Sequence, residues 1–229
     1  MAKIDLKKGI LDVILYIIIF VVVQIAVPYA GAGIWAGVKH EGYTNVLNMM
    51  LSGANPVLLA LTTVFSNVIT LVIFLKTKWT PLTREYLLSK PWVTLLWVAL
   101  FTLGAIIPLE FTYEHLGLEM DANTSKVFES LMKEPWGYVA VGILAPLAEE
   151  IVFRGAILRT LLGMMSKKNH WVAIMISAAI FGVAHGNVAQ FVNALLMGLL
   201  LGWMYYRTKS LVPGILMHWV NNTMAYILT

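Results

Sequence analysis

The sequence predicts an all-α, polytopic membrane protein: a transmembrane bundle of seven or eight helices. Three observations carry this. Of the 229 residues, 59% are apolar and 12% are charged, where a soluble domain has about 25% charged residues. Mean hydropathy is +0.79. Apolar runs recur along the chain, several near the ~20 residues a spanning helix needs, whereas transmembrane strands would alternate within segments of ~10 residues. The chain has no cysteine, which removes disulfides, thiolate metal ligands and a cysteine nucleophile. The net charge of +4 is a matter of loop position in such a protein, and no nucleic-acid partner is expected.

The first apolar segment, 10–30, follows Lys3, Lys7 and Lys8. Ala30-Gly31-Ala32 loosely resembles a cleavage site, but the run is long for a signal peptide, so a retained helix is expected. Segment 43–53 reads as a short interfacial helix and leaves room for an eighth element. Segments 55–75 and 91–113 are the next two spans, and 136–158 is a fourth that carries charges. The series ends with a short segment at 171–186, then 188–206 and 211–228. No repeat or linker divides the chain. The reading is one integral-membrane domain, 1–229, with its motif-bearing catalytic core in about 136–228.

Basic residues orient the spans. With the N-terminus inside, Lys3, Lys7, Lys8, Lys76, Lys78, Arg84, Lys90, Arg159, Lys167, Lys168, Arg207 and Lys209 fall on the inner side, 12 in all. The outer side holds 3: Lys39, Lys126 and Lys133. This bias predicts a multi-pass cell-membrane protein with a cytoplasmic N-terminus.

Polar groups inside the spans need a reason, because one charge at a helix centre costs ~2.5–3.5 kcal/mol on insertion scales. Glu149, Glu150 and Arg154 share the fourth segment. Glu150 and Arg154 are four apart with the acid first, the favoured order for a helical ion pair. Glu149 lies ~100° around the helix and is expected to face a different neighbour. Pro146 cannot donate to the carbonyl of Gly142, which invites an opening beside the acids. Phe181 and His185 share a face, as do His218 and Asn222, and Asn187, Gln190 and Asn193 add polar groups nearby. Taken singly, these histidines and asparagines read as interhelical hydrogen bonders, and Gly198 with Gly202 as ordinary helix packing. Taken together, two acids, two histidines and an asparagine on late helices read as a buried polar site.

H-E-x-x-H, G-x-S-x-G, Walker A and G-x-G-x-x-G patterns are absent. The only aspartates are Asp5, Asp12 and Asp121, so no pair of deep aspartates exists. A carboxylate in apolar surroundings accepts and returns protons near neutral pH. A neutral histidine orients water or binds a metal, and His or Asn donors stabilise an oxyanion. Together these are the functions of peptide hydrolysis.

Glu149–Arg154 (EEIVFR), Phe181–His185 (FGVAH) and His218–Asn222 (HWVNN) resemble, in order, the three motifs of the CPBP family: the CAAX proteases and bacteriocin-processing enzymes also called Abi proteins. The resemblance covers about the last 80 residues; residues 1–135 match only in hydropathy. It implies an intramembrane endopeptidase with a cavity open to the cytosol. By it, the catalytic set is Glu149, Glu150, His185, His218 and Asn222: Glu149 activates water with His185, and His218 and Asn222 support the oxyanion, while Arg154, which holds Glu150, and Phe181 are supporting residues. It leaves zinc open: Glu149, His185 and His218 are a chemically suitable ligand set, and a metal-free glutamate base is the alternative. The implied partners are membrane lipid and a peptide or protein substrate, either a prenylated CAAX tail or a bacteriocin or signalling peptide. Rival readings are a non-proteolytic scaffold of the same family that regulates a membrane partner, and a proton-coupled transporter.

Overall fold

The computed structural model describes residues 3–118 and 120–228. Among these it is all-α. Helix α1 (Leu6–Lys39) opens on Asp5, whose carboxylate accepts from the Lys8 amide at 3.1 Å, and runs through Pro28 and Ala30–Ala32 unbroken. It ends where His40 turns left-handed (φ 56°), well past the 10–30 segment drawn from hydropathy. The short α2 (Tyr43–Leu51) follows. Then α3 (Pro56–Lys76) starts on Asn55, which accepts from the Leu58 amide at 3.1 Å, with proline in the first turn where its missing N–H does no harm.

A single turn, Glu85–Leu88, precedes α4 (Trp92–Leu116). Helix α5 (Ala122–Met132) occupies a stretch that hydropathy leaves as loop, because its start signal is a cap and not an apolar run. Asp121 accepts from the Asn123 and Thr124 amides at 3.1 and 3.0 Å. The Thr124 hydroxyl, then its amide, hold the Asp121 carboxyl below its usual pKa.

The central rod, α6 (135–164), is one continuous helix of changing pitch. Two wide stretches of π-helical turns, Tyr138–Leu144 and Glu150–Leu158, flank ordinary α-helix at Ala145–Glu149. Residues 150–158 are buried throughout. Around them pack α1, α3, α7 (His170–Val183) and α8 (Val188–Thr208), while α9 (Val212–Leu228) closes on the rod's first half. Side chains from the surroundings meet carbonyls of the wide stretch. Thr80 Oγ1 donates to Ile151 O at 2.7 Å, and Ser177 Oγ to Phe153 O at 3.1 Å.

Among the described residues, four helices are long and apolar enough to cross a membrane: α1, α3, α4 over Trp92–Leu109, and α8. The outer faces of α1 and α4 carry Ile18, Val22, Trp97 and Phe101, all exposed in the isolated chain, as lipid-facing residues are. The remaining predicted segments are helices too, but α7 has 14 residues and α9 has 17. Helix α7 stops at Val183, so His185 lies in the turn beyond it, just before Gly186 at φ 76°.

Candidate active site

The rod, α7 and α9 bring the three motifs together. Glu150 and Arg154 form the expected pair, Arg154 Nη1 to Glu150 Oε1 at 2.8 Å, each side chain 1% exposed. One face of the guanidinium lies over the Phe181 ring, 4.3 Å from its centroid. Such an arrangement replaces lost hydration by ring quadrupole. Arg154 Nε and Nη2 make no hydrogen bond among the described residues.

The two glutamates do not face separate neighbours. His218 stands between them, Nε2 3.5 Å from Glu149 Oε2 and Nδ1 3.5 Å from Glu150 Oε1. These separations are ion-pair contacts too long for good hydrogen bonds, and Glu149 Oε2 and His218 Nδ1 have no closer partner among the described residues. The expectation from helix angles alone considered only the rod. A histidine reaching in from α9 spans the ~100° between consecutive side chains.

Phe181 joins the motifs. Its ring meets Arg154 and also packs edge-on against His185 (4.8 Å), His218 (5.9 Å) and Phe153 (4.9 Å). His185 Nδ1 donates to the Phe181 carbonyl at 2.9 Å. This bond puts the proton on Nδ1 and leaves Nε2 as an acceptor.

Asn222 reaches the rod where its hydrogen bonding fails. In the wide register, Ala145 N–H meets Ala140 O. The next carbonyl, Val141, would be met by residue 146, which is proline. Asn222 Nδ2 donates to Val141 O instead, at 2.9 Å. The carbonyl orphaned by Pro146 is thus that of Val141, not Gly142, because the turns are wider than those of an α-helix.

Glu149, His185, His218 and Asn222 line one cavity of about 570 Å³, with Asn67, Gln190 and Asn193 on its wall. Glu149 is 20% exposed to it. Glu150 and Arg154 lie behind His218 and do not line it.

Two glycines make room for the buried ion pair. A Cβ on Gly214 would stand 2.7 Å from Glu150 Oε2, and one on Gly198 3.3 Å from Arg154 Nη2 and 3.0 Å from Ala178 Cα. Spacing alone marks Gly198 as packing and gives Gly214 no signal; only the crossing of α8 and α9 over the rod reveals their place.

Among the described residues no three His, Asp or Glu side chains are placed to hold an ion. Both ring nitrogens of His218 face carboxylates, and Nδ1 of His185 is committed to a carbonyl. No step is routed through a metal.

Comparison with known proteins agrees with the motifs. Residues 131–224 match the family described as type II CAAX prenyl endopeptidase Rce1-like. A Bacillus subtilis (strain 168) protein named putative membrane peptidase YdiL is 30% identical over 131 residues, 57% of this chain and 52% of that protein. The membrane-embedded CAAX protease MroQ of Staphylococcus aureus (strain USA300) is 29% identical over 143 residues, 61% and 57% of the two chains. The chain thus spans a little more than half the length of these relatives, and no solved structure matches it. The matched segment 131–224 holds the rod and all three motifs, and its similarity is to the Rce1-like CAAX prenyl endopeptidases.

Proposed function

We propose that this chain is an intramembrane endopeptidase in which Glu149 activates water. The observation that supports it most is that Glu149 and His185 line the same cavity, with an acceptor at His185 Nε2. A water between them donates one proton to each and turns a lone pair toward a substrate carbonyl. Glu149 takes the proton as the C–O bond forms, then passes it to the leaving nitrogen as the C–N bond breaks. Asn222 has a second N–H beyond the one given to Val141, and this N–H meets the oxyanion. Glu150 and Arg154 act through His218, which they hold against Glu149; in this reading they are positioning residues.

The substrate is a membrane-associated peptide or protein tail entering the cavity. A prenylated CAAX tail and a bacteriocin or signalling peptide are the two classes to compare, in a multi-pass protein with its N-terminus on the cytoplasmic side. The test is hydrolysis of both peptide classes by purified protein in detergent or nanodiscs, beside Glu149→Gln. Cleavage by the wild type that disappears in the variant supports the reading. Undiminished cleavage by Glu149→Gln refutes the base, and no cleavage of any peptide refutes the function.

A further inference from the structure

Helices α8 and α9 each turn one stripe to the cavity. Gln190, Asn193 and Met197 face it from α8, and His218, Asn221, Asn222 and Ala225 from α9. The spacing of three, four and seven is that of a single helix face. A second cavity of about 420 Å³ shares Gln190, Asn193 and Asn221 with the first, and Ile106, Leu109, Leu118 and Leu228 contribute to its apolar wall. The boundary common to the two cavities thus carries carboxamides from two helices, beside Phe128 and Ala225.

These amides are not equally committed. Gln190 accepts from Asn187 Nδ2 at 2.7 Å and reaches Met120 Sδ at 3.5 Å. Asn221 gives one N–H to Asn222 Oδ1 at 3.2 Å and keeps its carbonyl oxygen. Half-buried Asn193 makes no hydrogen bond among the described residues. A primary amide donates and accepts as a peptide unit does, so a pair of such groups on the boundary shared by two cavities suits an extended main chain regardless of its side chains.

We infer that Asn193 and Asn221 clamp the main chain of the peptide substrate where it passes between the chambers, away from the bond that is cut, while the apolar chamber takes a non-polar side chain of the same peptide. The inference rests on the endopeptidase reading. It makes both asparagines substrate-binding residues and predicts substrates with an apolar residue on one side of the scissile bond.

The test uses the full chain in nanodiscs and the best-cleaved member of a set of quenched fluorogenic peptides. Each main-chain amide of that peptide is replaced in turn by an ester, which deletes one N–H and weakens one carbonyl acceptor. With the wild type, one or two ester positions are expected to raise KM about 3- to 10-fold, the net worth of one hydrogen bond, with kcat little changed. Asn193→Leu and Asn221→Leu are expected to show the same rise with the parent peptide, and none further with the ester. Esters and substitutions that raise KM independently, or substitutions that leave KM unchanged, overturn the clamp alone. No hydrolysis by the wild type overturns the endopeptidase reading, and the clamp with it. Asn193→Ala and Asn221→Ala serve the same comparison where a leucine variant does not fold.

Discussion

Asn222 holds the carbonyl of Val141 at 2.9 Å, in the place that Pro146 leaves empty. Residues 81 apart in sequence thus complete one helical turn. Asn222→Ala strands a carbonyl in apolar surroundings and is expected to lower stability by about 1–3 kcal/mol. Pro146→Ala restores an N–H at that position. In the double variant the stability loss should shrink while hydrolysis stays low, because the N–H that meets the oxyanion is still missing. Thermal unfolding in detergent, read beside peptide cleavage, separates the two roles. Equal losses in the single and double variants would show that the Val141 bond contributes nothing.

Glu149→Gln keeps shape and removes the base. Hydrolysis is expected to fall ~10²–10⁴-fold, the usual weight of general acid–base catalysis. Unfolding temperature should hold or rise, since Glu149 Oε2 has no close hydrogen-bond partner among the described residues.

The Glu150–Arg154 pair is fully enclosed. Arg154→Met leaves Glu150 buried without its counter-ion, and Glu150→Gln does the converse; each is expected to cost roughly 3–5 kcal/mol. Glu150→Gln with Arg154→Met should cost less than the sum. A double-mutant cycle in denaturant measures the coupling, and additive losses would mean that the two charges act apart.

Gly214→Ala sets a methyl 2.7 Å from Glu150 Oε2. The carboxylate cannot swing away without leaving Arg154, so a loss of about 1–3 kcal/mol is expected, as for other overpacked sites. Cleavage should fall as well, because Glu150 helps place His218. Gly37 has nothing within 4 Å of an added Cβ. Gly37→Ala is the control and should stabilise α1 by up to ~1 kcal/mol.

Treatment with a chelator is expected to leave cleavage unchanged, because no three His, Asp or Glu side chains are placed to hold an ion among the described residues. Loss of activity that returns with added zinc would show that Glu149, His185 and His218 regroup around an ion.

The membrane class and most of the helices were legible in the linear sequence, because hydropathy is a local sum and needs no partner. So was the Glu150–Arg154 pair, which depends only on spacing within one helix. Helix α5 was missed because a cap at Asp121 carries no hydropathy signal. The end of α1 was misplaced for a similar reason: a left-handed cap at His40 closes it, not a polar run.

By itself the sequence determined that this chain lies in a bilayer and that its few internal charges sit on late helices, since burying apolar surface and isolating charge are properties of composition and order. Tertiary structure alone decided how those groups meet. The sharing of His218 by two glutamates, the joining of Arg154, His185 and His218 at Phe181, and the repair of Val141 by Asn222 all cross from one helix to another. Such contacts depend on the pitch of the rod and on how close α8 and α9 approach it. Wide turns and glycines set both, and periodicity within a single helix carries no record of either.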